Sequence, residues 1–255
     1  MTRPIRAETL KLRTAPMTWG LLGAAAGVTV LLDVLIGIRA GAGKGRVEIL
    51  PLTTLSGQNT IFTTTQFAIL LAMVLGVLVA AGEFRHGTAT ATALVTPRRH
   101  QVLVAKATVA GGMGLVFGLV GVVVSTGVGL AFLAAHGDAL LLSVGTLLRD
   151  GAGACLGAGL LAVGGVAVGS LLRSQVAGVV TVLVWTLAGE TGLGALFPSA
   201  SPYFPFNAAR SLSGVSSFAG ETAAAQFYVA ALTVAAVAIV LALIAAETTV
   251  RRDIS

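Results

Sequence analysis

The sequence predicts an all-α polytopic membrane protein with six transmembrane helices, and three observations carry that prediction. The AVILMFWYC class makes up 56% of the 255 residues and charged residues only 10%, with a mean hydropathy of +0.95. A soluble domain, roughly 45–50% apolar even with glycine counted, has no way to hide so much apolar surface. Residues 14–32, 49–82, 107–137, 151–172, 174–189 and 222–246 carry no Asp, Glu, Lys or Arg. Most of these runs reach the ~20 residues that a helix rising 1.5 Å per residue needs to cross a bilayer, and one is slightly short. The runs are continuous and rich in Ala, Leu, Val and Gly, which excludes a β-barrel built from alternating ~10-residue strands. Disorder and a soluble enzyme are excluded by the same runs.

Spans are expected near 17–38, 61–82, 103–134, 151–172, 176–196 and 225–246, forming one domain over 1–255. Both termini then share a side with Arg3, Arg6, Lys11, Arg13, Arg85, Arg98, Arg99, Lys106, Arg173, Arg251 and Arg252. The opposite side holds Arg39, Lys44, Arg46, Arg149 and Arg210. The positive-inside rule therefore places both termini in the cytoplasm. The net charge of +6 reflects this bias and the pull of anionic headgroups, and it argues against nucleic acid as a partner.

Residues 2–14 (TRPIRAETLKLRT) put Ile5, Thr9 and Leu12 on one helical face and Arg6 and Arg13 on another. This reads as an amphipathic helix in the inner interface, or as a solvated basic tail. The first apolar run is too long for a signal peptide and reads as a retained span. Residues 39–60 read as an irregular loop. Residues 83–101 form the one substantial cytoplasmic loop, with a short helix over its middle that Pro97 ends. Residues 135–150 read either as a short interfacial helix or as extensions of the spans. Residues 197–224 combine Pro198, Pro202 and Pro205 with Phe197, Tyr203, Phe204 and Phe206. That mixture predicts a helix-break-helix entering the outer surface partway and leaving on the same side.

Most candidate chemistry fails on spacing. The AGAGKG stretch at 40–45 has Ile38 where a phosphate loop needs its first Gly, and Gly45 where Mg²⁺ needs Ser or Thr. His86, His100 and His136 do not cluster, so no metal site is expected. No nucleophile elbow appears, and the lone Cys155 reads as a small packed residue. Two carboxylates fall inside spans, Asp33 and Glu190, and such groups are functional candidates by default. Asp33 reads as an interface-level residue near water; Glu190 is balanced between that and a functional role. Pairs at G-x-x-x-G spacing (Gly23 and Gly27, Gly114 and Gly118, Gly153 and Gly157, Gly165 and Gly169) read as packing within the bundle, with a subunit contact as the alternative.

Four stretches together resemble the membrane subunit of ABC exporters of the ABC-2 permease type: AETLKLRT, GEFRHGTATATALVTPRRHQVLVAKA, LLRSQVAG and VRRDI. The second is the most specific, through Glu83, Gly87-Thr88, Pro97, Arg98-Arg99 and Lys106. The resemblance implies a permease with no catalytic, cofactor or metal site of its own. Its partners would be two copies of a separate ATPase that binds ATP and Mg²⁺, a second permease, identical or sister, and the lipid bilayer of a bacterial cytoplasmic membrane. It further implies a coupling helix at 84–96 that docks on the ATPase, with Glu83, Phe84, Arg85, His86, Gly87, Thr88, Leu94, Pro97, Arg98 and Arg99 as the coupling loop. Ile5 and Leu12 would anchor the interfacial helix, and 197–210 would be a re-entrant hairpin before the last span. Drugs, peptides, lipids and glycans all remain open as cargo. An ion-coupled secondary transporter or channel stays in play, as does a membrane enzyme or scaffold.

Overall fold

A computed structural model describes residues 2–41, 50–85, 87, 99–215 and 223–251. Among these every element is helical: α1 (Thr2–Thr14), α2 (Pro16–Arg39), α3 (Leu55–Phe62), α4 (Gln66–Arg85), α5 (Arg99–His136), α6 (Val144–Leu172), α7 (Gln175–Val184), a π-turn (Trp185–Gly189), α8 (Glu190–Leu196), a 3₁₀ turn (Ser201–Tyr203), α9 (Pro205–Leu212) and α10 (Ala223–Arg251). Six helices are long and apolar enough to cross a membrane: Pro16–Arg39, Leu55–Arg85, Gln101–His136, Val144–Leu172, Gln175–Leu196 and Gln226–Thr248. All six coincide with the expected spans.

The differences lie at the ends. The expected irregular loop at 39–60 closes with α3, whose start is capped by Thr54 Oγ1 accepting the Gly57 N–H at 3.1 Å. The second span is therefore longer than expected, and it is broken at Thr63–Thr65. There side chains engage or approach backbone carbonyls, Thr63 donating to Asn59 O at 2.8 Å and Thr64 Oγ1 lying 3.2 Å from Ile61 O. The fourth span begins at Val144, capped by Ser143, so residues 144–150 extend that span and are not a separate interfacial helix. Gln58 closes the end of the bundle opposite α1. Its amide donates to Leu52 O (2.9 Å) and Ala139 O (2.8 Å) and accepts from Leu141 N (2.8 Å), so the segments before α3 and before α6 are pinned to one fully satisfied side chain.

Spans two and four form the centre of the bundle. Their apolar windows are 61% and 56% buried, against 22–28% for the other four. Glycine makes that contact possible. A Cβ at Gly76 would run into Ala162 O, and one at Gly165 would run into Met73 O, so the α4 and α6 backbones touch directly. Gly114 and Gly118 bring α5 almost as close to α6, and Gly153 and Gly157 seat α9 on it. Three of the four G-x-x-x-G pairs thus pack within the bundle, as expected, whereas a Cβ at Gly23 or Gly27 would meet nothing within 4 Å.

Candidate functional site

The last turn of α4 gathers three parts of the chain. Glu83 Oε1 lies 2.9 Å from Lys106 Nζ of α5 and 2.8 Å from Lys11 Nζ of α1. Glu8 closes the ring, 3.1 Å from Lys106 and 2.7 Å from Lys11. Glu8, Glu83 and Lys106 are largely buried, with side chains 7%, 13% and 6% exposed, while Lys11 caps the cluster at 52%. Two acids and two bases sum to zero charge, which is the condition for holding such groups out of water. Burial pulls the Lys11 ammonium pKa down, but hydrogen bonds and fields from Glu8 and Glu83 outweigh it, leaving a net rise above 10.5. Its contribution is thus fully present below that value and is lost only in strongly alkaline solution.

On its other side the same turn grips the junction of spans four and five. Arg85 donates to Gln175 Oε1 at 2.9 Å, and the Arg173 guanidinium sits 5.5 Å over the Phe84 ring. Arg173 adopts a left-handed φ of 51°, and its N–H closes α6 onto Gly169 O at 3.0 Å. The chain leaves α4 through Gly87, whose φ of +65° favours glycine. Phe84 and Arg85 therefore belong to the end of the second span. His86, Thr88, Leu94, Pro97 and Arg98, and with them most of the expected coupling helix, lie outside the described residues. Arg99 opens α5, its side chain also outside them.

On α1, Leu12 is buried and Ile5 half-buried on the side that meets α5. Glu8 was missed by sequence reasoning, although a signal existed. It lies on the stripe of Ile5 and Leu12, and an acid on an apolar stripe requires a buried cation.

Asp33 is not at a watery interface. It is 0% exposed and bonded to the Thr64 hydroxyl inside the helix break, with Thr64 Oγ1 3.2 Å from Ser125 Oγ and Ser125 donating to Ile61 O at 2.8 Å. Its Oδ2 has no hydrogen-bond partner. The cause is the early start of α3, which carries the break at Thr63–Thr65 alongside Asp33 at membrane depth.

Glu190, 1% exposed, is a helix cap supplied from outside the helix. Its oxygens accept the N–H groups of Phe206 and Asn207, both at 2.9 Å, and the Trp185 indole N–H at 3.0 Å. Pro205 at the helix start has no N–H to satisfy, so the carboxylate meets the first free donors of α9 and its positive dipole end. This ties the fifth span to the expected helix-break-helix, here the 3₁₀ turn and α9. Glu190→Ala is expected to destabilise the protein by about 2–4 kcal/mol, since three donors lose a charged acceptor. Glu190→Gln should lose less, and thermal unfolding in detergent checks the order; equal losses would deny the carboxylate this role.

These features define an integral membrane subunit whose α1 and the facing ends of α4 and α5 are locked by charge. Residues 4–189 match the family described as ABC-2 family transporter protein, and the chain belongs to that family. It is a multi-pass membrane protein of the permease type, the membrane component of an ABC transporter, and membership implies an ABC ATPase as partner. No curated protein matches the chain.

Proposed function

We propose that this permease forms the translocation pathway for ATP-driven export of a drug, peptide, lipid or glycan. Two copies of a separate ATPase, binding ATP and Mg²⁺, would dock on the 84–96 loop, and a second permease, identical or sister, would complete the pathway. The chain would sit in a bacterial cytoplasmic membrane with both termini inside, α1 in the inner interface and 197–212 dipping into the outer surface. One observation carries the reading: the turn that opens this loop is joined to α1 and α5 through Glu83 and to the span four–five junction through Phe84 and Arg85. A displacement of the loop would therefore reach four of the six spans through these contacts.

The test is a mild-detergent pull-down from the native host with ATPase activity assayed in the eluate. A Walker-motif subunit should co-purify and be lost when 84–96 is altered. Glu83→Gln and Gly87→Val are expected to uncouple ATP hydrolysis from transport while membrane insertion is preserved, the second through its positive φ, as a Cβ there meets nothing within 4 Å. Normal transport by both variants would remove the coupling assignment. The unpartnered Oδ2 of Asp33 favours a second reading, in which an ion is coupled to transport. Asp33→Asn is expected to leave ATP-driven transport within about twofold. Loss of transport with the ATPase still bound would promote the ion-coupled reading.

A further inference from the structure

A groove of about 460 Å³ runs between α1, the start of α2 and the cytoplasmic half of α5. Its wall is mostly apolar, with Ile5, Leu12 and Val116 along it; two of its hydroxyls are spent on the chain itself, Thr9 donating to Ile5 O and Thr108 to Val104 O, each at 2.8 Å, and the third, the buried Thr18 Oγ1 at the start of α2, has no hydrogen-bond partner. Gly112 lies in this wall, and a Cβ there would meet nothing within 4 Å, so the groove is open at that point. From Thr108 to Val116 the groove follows α5 for about 12 Å along the helix axis.

One end of the groove is cationic. Lys11 and Lys106 are committed to Glu8 and Glu83, whereas Arg13, exposed on the groove's rim, makes no ion pair among the described residues. Trp19, 55% exposed, stands beside it, its indole N–H donating to Arg13 O at 3.0 Å. An apolar slot running to membrane depth below an uncommitted guanidinium and an interfacial indole matches a molecule with one anionic head and a hydrocarbon tail. Thr18 Oγ1 is one free hydroxyl in an otherwise apolar wall, too few partners for a peptide or sugar, most of whose polar groups would go unpaired there.

We infer that this groove binds one anionic glycerophospholipid of the inner leaflet, its phosphate on Arg13 and an acyl chain laid along α5 over Gly112. The lipid then wedges α1 against α5 next to the Glu8–Lys106 ion pair. The inference rests on the reading of α1 as an inner-interface helix, and the experiment separates the two.

The chain has two tryptophans, so Trp185→Phe leaves Trp19 as the sole indole in nanodiscs of phosphatidylcholine. Brominated-acyl phosphatidylglycerol is expected to quench Trp19 at about a fivefold lower mole fraction than brominated phosphatidylcholine, the preference of one guanidinium for an anionic headgroup. Arg13→Gln should erase that preference, and Gly112→Leu should weaken quenching by both lipids. Because Trp185→Phe also removes a bond to Glu190, native mass spectrometry of the unaltered chain gives a second count of retained phosphatidylglycerol. Equal quenching by the two lipids, or a preference that survives Arg13→Gln, overturns the inference and leaves the interfacial helix standing. Quenching by neither lipid overturns both.

Discussion

Lys106→Ala is expected to cost about 3–5 kcal/mol and to loosen α1 from the bundle, because it removes the buried cation that Glu8 and Glu83 share and leaves the half-exposed Lys11 bridging them. The ammonium also holds Val79 O at 3.3 Å, so a backbone carbonyl loses its side-chain donor. Hydrophobic replacement of a whole buried pair is far milder than removal of one partner. The double variant Lys106→Met with Glu83→Leu should therefore lie well above the sum of its single variants, and the cycle isolates the coupling. Thermal unfolding in detergent measures the loss, and protease cleavage after Arg13 reports release of α1. If Lys106→Ala unfolds with the parent and α1 stays protected, the ring of charges does not hold this end together. Transport should fall with it if the proposed coupling loop acts through this ring, which joins the end of α4 to α1 and α5.

The second large effect is steric. Gly76→Ala and Gly165→Leu are expected to destabilise by about 3 kcal/mol or more, at or beyond the upper end of ordinary overpacking, because the added carbon meets the backbone carbonyl of Ala162 or Met73. A flexible side chain can rotate aside; a carbonyl inside a helix moves only if the helix moves. Spans two and four must then separate, and every contact around them opens. Gly23→Ala is the control, since its Cβ enters open space and alanine favours helix over glycine. Folded yield after detergent extraction orders the three variants. Equal yields would mean that the close approach of α4 and α6 adds little to stability.

Much of the architecture was legible in the sequence. Hydropathy finds spans because the cost of burying a charge in hydrocarbon acts on each residue in its own place, whatever it later touches. Helix ends were less legible. Thr54 and Ser143 are plain N-cap residues, yet both lie in outer segments whose apolar content was read as loop or interface, so the helices begin 6–7 residues before the expected spans. The prolines of 197–210 were read correctly as breaks, and Pro202 and Pro205 each open a short helical turn.

The candidate site was half legible. Glu83 and Lys106 stood out by motif, and Ile5 and Leu12 by periodicity, but their common meeting point did not. Asp33 was misplaced because its burial depends on the break at Thr63–Thr65, 30 residues away, coming to lie beside it. Glu190 gave no sign that it caps a helix starting 15 residues later.

The sequence by itself determined that this chain crosses a membrane six times, which helices are apolar enough to do so, and where charge collects at their ends. Those properties are sums over neighbouring residues. Only the tertiary structure decided that Glu8, 98 residues from Lys106, neutralises it, that Asp33 is sealed from water, and which glycines bear contact. Ion pairing and close packing fall off within a few ångströms, and separation in the chain does not set separation in space until the spans have packed.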